Sequence, residues 1–159
     1  MEKRRVVITG LGCVSACGNN VHDTWNNVKN GVSGVDKITL FDASNHLVQI
    51  AAEVKDFSLD NYDIDRKLAR KSKRVTKFLL GASIEAVADA GFTKETISGA
   101  NTGIITGMGI GLSDSADSAY QIYFDPTKGV NRIPPLTAPL VLNNEPSANV
   151  AMHFQIHGP

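Results

Sequence analysis

Arg4-Arg5-Val6-Val7-Ile8-Thr9-Gly10-Leu11-Gly12 stands at the head of the chain. Val6 to Thr9 is an unbroken β-branched run punctuated by Gly10 and Gly12, and it reads as a buried strand. Outward from it, a Gly-, Ser- and Asn-rich connection leads to Val21, Trp25 and Val28. These repeat at helical spacing, and Gly31 supplies the stop. Leu47 to Val54 reads as extended between polar loops. A long helix is expected over about Lys67 to Asp89, with Val75, Phe78, Leu79, Ala82, Ala86 and Ala90 on one face and Gly91 as its end. Thr102 to Thr106 is the next strand, running into Gly107-Met108-Gly109-Ile110-Gly111. Asp114 to about Phe124 suits a helix, and Pro126, Pro134, Pro135 and Pro139 mark a loop. A final helix is expected from Pro146 to Phe154, with the proline in its first turn, where a missing N–H costs little. Strands alternating with helices imply an α/β protein with a mostly parallel sheet covered by helices.

Bulk properties narrow the function classes. The 159 residues suit one domain able to bury a core. Hydrophobic residues at 42% and charged residues at 20% indicate a globular chain. Sixteen Lys+Arg balance sixteen Asp+Glu, so no global field draws nucleic acid or a membrane surface. No apolar run is long enough to span a bilayer, and no signal-peptide h-region precedes the first strand. Two cysteines make no disulfide framework, so a cytoplasmic setting is expected.

Each motif has a plain reading beside a sharper one. Gly10-Leu11-Gly12 after a strand invites a dinucleotide fingerprint, but Ser15 stands where the third glycine belongs and the following helix comes late. Close backbone packing explains the two glycines as well. Gly107, Gly109 and Gly111 alternate with Met108, Ile110 and Leu112. They read as a tight turn holding out single apolar side chains, since a phosphate loop would need a following Lys and Ser/Thr. Cys13 and Cys17 read as small buried hydrophobes. His153 and His157 share helical spacing, but Phe154 replaces the Glu of a metalloprotease motif, so both read as solvent-facing or capping. No metal or other cofactor is expected.

Charge is more telling. Arg66, Lys67, Arg70, Lys71, Lys73, Arg74 and Lys77 fall within twelve residues that contain no acid. On one continuous helix, Arg66, Arg70, Lys73 and Lys77 would form a stripe. A solvated helix face is the usual reading of such a run. An all-basic face gains no i,i+4 ion pairs and repels itself, which favours a binding role. Acidic protein, phosphorylated cofactor and nucleic acid are all possible partners by charge. Aromatic residues interleaved for base stacking are lacking.

Taken together, Arg4–Gly12, Trp25 with Gly31 and Ser33-Gly34, Phe41-Asp42, the Arg66-Lys67 and Arg70-Lys71 pairs, Asp89-Ala90-Gly91, Gly107–Gly111 and Pro139 through Gly158-Pro159 resemble the type II elongation β-ketoacyl-[acyl-carrier-protein] synthases. The resemblance covers essentially the whole chain, 1–159, as one N-terminal ketosynthase domain. It implies a thiolase-like fold, the N-terminal portion of an α-β-α-β-α layered sandwich, incomplete here. It implies an acyltransferase of fatty-acid biosynthesis, a homodimer, that takes an acyl chain from acyl carrier protein onto a cysteine and condenses it with malonyl-carrier protein. The family's nucleophilic cysteine and two histidines lie beyond the segment matched, so no catalytic residue is expected in this chain. Alone it should be inactive. By the same resemblance Lys67, Arg70 and Lys71 contact the acidic carrier protein, Ile110 lines and gates the acyl pocket, and Leu136 and Thr137 belong to a loop reaching the partner's acyl pocket. The family usually has larger aromatic residues at those last two positions, and Asn143-Asn144-Glu145-Pro146 also departs from common members. Two other readings stand beside this one: a non-catalytic, chain-length-factor-like partner of the same fold, and a nucleotide-binding module built on the glycine clusters.

Overall fold

The structure is a computed structural model that describes residues 4–99 and 101–158. Its elements in chain order are α1 (Val21–Lys29), β1 (Val35–Lys37), β2 (Ile50–Ala52), α2 (Arg66–Lys71), α3 (Arg74–Asp89), α4 (Lys94–Ile97), α5 (Ser113–Phe124), a 3-10 turn (Val130–Arg132), α6 (Thr137–Leu140) and α7 (Glu145–Phe154). They fall into two compact units. One is formed by Met1–Asp63 with Gly81–Thr96, the other by Ile64–Leu80 with Ile97–Pro159, so helix α3 contributes to both.

In the first unit the residues around the glycine pair lie flush on α3. A Cβ at Gly12 would fall on the Ala82 carbonyl and 2.8 Å from the Ala86 nitrogen. One at Gly10 would stand 2.6 Å from the Ala90 nitrogen and 2.8 Å from its Cβ. The expected alanine face of α3 is thus the face against which these glycines pack, and only glycine allows that approach. Two carboxylates of α3 hold the segment in place. Asp89 accepts from the Leu11 amide at 2.8 Å, and Glu85 accepts from the Cys13 amide at 2.9 Å. The other Glu85 oxygen accepts from the Val21 amide at 2.8 Å, satisfying an orphan donor in the first turn of α1. Asn20 caps the same helix by accepting from the Asp23 amide at 2.7 Å. Gly31 and Gly91 both adopt positive φ, as the expected helix stops require.

The expected parallel sheet is not formed among the described residues. Their one ladder is antiparallel, β1 on β2, with Val35 opposite Ala52 and Lys37 opposite Ile50. Strand β2 falls within the expected extended run of Leu47 to Val54, whereas β1 was not expected. Glu53 closes the connection by accepting from the Thr39 and Leu40 amides. Residues Val6–Thr9 and Thr102–Thr106 have no ladder partner. Parallel strands need a neighbour reached by a long crossover, and both runs remain open to water: Val6 is 94% exposed, Ile8 84% and Ile105 99%. An isolated parallel bridge joins Gly99 to Ile156.

The second unit holds the most deeply buried side chains, Leu80, Leu112, Thr76 and Pro146. The long helix expected over Lys67 to Asp89 is two helices. Ser72 leaves the helical region at φ −65°, ψ 136°, and its hydroxyl donates back to the Leu68 carbonyl at 2.8 Å. A serine that bonds its own preceding turn competes with helix continuation, and the break relieves a row of like charges at i,i+3 and i,i+4. The basic stripe expected along one helix is therefore divided, with Arg66, Lys67, Arg70 and Lys71 on α2 and Lys73, Arg74 and Lys77 at the start of α3. The proline-rich stretch, expected as a loop, contains the 3-10 turn and α6, both packed against α5. The final helix begins one residue before Pro146, as its first-turn position allows. Cys13 and Cys17, expected to be buried, are half-buried free thiols. His157 lies beyond the end of α7 and is exposed, whereas His153 is half-buried with its ring edge-on to Phe154 at 4.5 Å.

Two outcomes follow from this packing. Gly12→Ala should destabilise the full-length protein by about 3 kcal/mol or more, because the new methyl meets backbone rather than a movable side chain; a urea midpoint within error of wild type would contradict the close approach. Residues 1–159 produced alone should be poorly folded or held in oligomers, because unpaired edges and uncovered apolar side chains associate. Light scattering and thermal melts check this, and a monodisperse monomer with a cooperative melt is the contrary result.

Candidate functional site

Helix α2 positions the expected docking residues. Asp65 starts it, its carboxylate accepting from the Leu68 amide at 2.8 Å. After six helical residues Ser72 ends it. Lys67, Arg70 and Lys71 are all exposed on this short helix. Among the described residues no ion pair engages them. Arg70 and Lys71 occupy the last turn, where cations complement the helix dipole. Arg74, at the start of α3, stacks over the Phe78 ring at 4.9 Å from its centroid.

Next to Lys71 opens a cleft of about 720 Å³. Lys71, Ser72 and Lys73 line it from the α2–α3 junction. Pro134, Leu136, Pro139, Leu140 and Leu142 line it from the α6 region, and Ala148 and Met152 from α7. The sequence brought Lys71 and Leu136 forward for separate reasons, and the structure places both on this one cleft. Thr137 and Ile110 do not line it. Thr137 opens α6, its amide donating to the Pro134 carbonyl at 2.9 Å. Ile110 sits in a bend and is 84% exposed, while Leu112 two residues on is the one buried.

Sequence reading missed the polar end of the cleft. Glu145 accepts from the hydroxyl of fully buried Thr76 at 2.6 Å and from the Asn149 side-chain amide at 2.6 Å. Asn149 also donates to the Glu145 carbonyl at 2.9 Å. This ties α3 to the first turn of α7. The only available signals were a threonine in an otherwise apolar helix register and an i,i+4 Glu–Asn pair. Leu140, Leu142 and Met152 were missed as well, because a proline-rich stretch carries no periodicity to show which side faces a cleft.

The other candidates are placed elsewhere. Gly10 and Gly12 face α3, leaving no room for a pyrophosphate. Gly111, at φ +67°, packs on the Asn143 side chain. Among the described residues no group of three or more His, Cys, Asp or Glu is placed to hold a metal, and no helix is long and apolar enough to cross a membrane. After α5, Asp125 accepts from the Thr127 hydroxyl and amide and pairs with Lys128 at 3.1 Å. These contacts, Thr127 first, lower its carboxyl to about 2.

Residues 3–159 match the family described as Beta-ketoacyl synthase, N-terminal domain. The chain belongs to the β-ketoacyl synthase family. A relative, 3-oxoacyl-[acyl-carrier-protein] synthase 2 of Staphylococcus aureus (strain COL), is 35% identical over 158 residues, which are 99% of this chain and 37% of that protein. Among solved structures, the ishigamide ketosynthase/chain length factor superposes with a TM-score of 0.86 at 25% identity, over 98% of this chain and 38% of that one. A type II polyketide acyl-carrier protein in complex with its ketosynthase shares the fold, with a TM-score of 0.78 at 21% identity over 99% of this chain and 37% of that one. The chain thus spans little more than a third of the length of these ketosynthases, and it has the N-terminal part of their thiolase-like fold.

The Thr76–Glu145–Asn149 network should matter to this protein's stability. Glu145→Ala leaves the buried Thr76 hydroxyl without its acceptor and the Asn149 amide with the main-chain carbonyl alone, costing about 2–3 kcal/mol, whereas Thr76→Val removes one partner of a satisfied pair and costs about 1 kcal/mol. Urea unfolding of the full-length variants checks the order; equal losses would show the carboxylate is not the hub.

Proposed function

We propose that the full-length protein is a 3-oxoacyl-[acyl-carrier-protein] synthase of fatty-acid biosynthesis, a cytoplasmic homodimer, with residues 1–159 as scaffold and carrier-docking portion. In the proposed reaction an acyl chain passes from carrier protein to a cysteine thiolate outside this chain. Malonyl-carrier protein then loses carbon dioxide, its carbanion attacks the acyl thioester, and the thiolate leaves. Residues 1–159 supply none of the reacting groups, and by themselves they turn nothing over.

The observation that carries this reading is the exposed trio Lys67, Arg70 and Lys71 on a chain that is neutral as a whole. Three cations on two adjacent turns suit an acidic protein surface, where they act mainly on encounter rate. The match to 3-oxoacyl-[acyl-carrier-protein] synthase 2 supports a carrier protein as that partner. Ile110, Leu136 and Thr137 are assigned to the acyl pocket. The exposure of Ile110 leaves it free to line a pocket completed by other parts of the protein. A second reading, a chain-length-factor-like partner, is favoured by the similarity to the ishigamide ketosynthase/chain length factor. Mass spectrometry after incubation with acyl-carrier protein separates the two, since only the enzyme gains an acyl group.

Lys67→Glu with Arg70→Glu in the full-length protein should slow carrier association at least tenfold at low salt and flatten its salt dependence. Unchanged carrier affinity at low salt would remove the docking role. Residues 1–159 incubated with acyl- and malonyl-carrier protein should give no 3-ketoacyl product, and turnover above a blank without protein would overturn the scaffold assignment.

A further inference from the structure

Helix α2 carries the docking residues but does not hold its own position. It has six residues, none fully buried, and a helix that short does not persist alone. Its side-chain hydrogen bonds run to its own caps, Asp65 and Ser72. Its place depends on the helix that follows. Only Ser72 and Lys73 separate α2 from α3, and helical bonding resumes at once, with the Lys77 amide donating to the Lys73 carbonyl at 2.9 Å. The direction in which Arg70 and Lys71 leave α3 is therefore set by where the first turn of α3 is held.

That turn has a tertiary anchor. Thr76, 0% exposed, donates its hydroxyl to Glu145 at 2.6 Å across 69 residues of sequence. Glu145 is itself fixed, accepting from the Asn149 side-chain amide at 2.6 Å. Lys71, Ser72 and Lys73 line the same cleft as Asn144 and Glu145, so the α2–α3 junction and the first turn of α7 face one another. We propose that Thr76 is a positioning residue for carrier docking: its bond to Glu145 aims the α2–α3 junction and so sets where Arg70 and Lys71 stand. The inference rests on the carrier-docking reading and adds to it a residue that touches no partner. A buried hydroxyl has no water to bond instead, so the tie is directional as well as stabilising.

The test measures binding of acyl carrier protein to the full-length protein over a range of salt concentrations. Thr76→Val keeps the shape of the side chain and removes the hydroxyl. It should weaken carrier binding about fivefold at low salt, the low end of couplings between separate sites. It should also flatten the salt dependence, because fewer cations then meet the acidic partner. Thr76→Ser keeps the donor and should match wild type in both. Added to Lys67→Glu with Arg70→Glu, Thr76→Val should have no further effect, since the docking it positions is already lost. A loss of packing alone would leave the salt dependence unchanged and add in full to the charge reversal, and either result would overturn the positioning role. So would wild-type affinity in Thr76→Val while the charge reversal weakens binding, which leaves carrier docking standing. A charge reversal without effect would overturn carrier docking, and the positioning role with it.

Discussion

Gly10 and Gly12 can lie on helix α3 only because α3 presents Ala82 and Ala86 to them, with Ala90 just past its end. The constraint is mutual. No side chain fits on either partner beyond what is present, since a single methyl at Gly12 would overlap the Ala82 carbonyl. That close approach brings the Leu11 and Cys13 amides within reach of Asp89 and Glu85, so the carboxylates take the hydrogen bonds that a neighbouring strand would otherwise provide. Glu85 then reaches Val21 as well. The position of α1 thus follows from two glycines and three alanines, and packing in this unit is set by backbone proximity more than by large apolar side chains.

The helices were legible in the sequence wherever apolar spacing and a stop residue agreed. Val21, Trp25 and Val28 with Gly31 gave α1, and Pro146 in a first turn gave α7. The family was legible too, because its glycine clusters and basic pairs fall at family spacing along nearly the whole chain. What could not be read was pairing. Val6–Thr9 has the composition of a buried strand, and nothing in a β-branched run records whether a neighbour is present to bury it. The break at Ser72 was hidden for a different reason. Helical periodicity continues through it, and what decides against continuation is a hydroxyl-to-carbonyl bond together with repulsion among cations.

The candidate site divides along the same line. Seven bases without an acid stand out in a neutral chain, and the family resemblance singles out Lys67, Arg70 and Lys71 among them. The apolar part of the cleft was not found, because Leu140, Leu142 and Met152 are ordinary residues in one dimension and become a surface only when α6 and α7 are folded together. Glu145 shows how a carboxylate can line an apolar cleft without opposing its lysines. Both of its oxygens accept from neutral donors, which solvate the charge from inside the fold.

Glu85 also fixes an order of events. Helix α1 has nine residues and buries none of them fully, too few to persist in water by itself. The amide it depends on lies 64 residues from the carboxylate that satisfies it. During synthesis α1 therefore leaves the ribosome well before the residue that anchors it, by roughly 3–13 s at usual elongation rates. Over that interval the head of the chain, with its β-branched run, is unfolded and apolar. The anchor of α1 is thus supplied from the later, sixteen-residue α3.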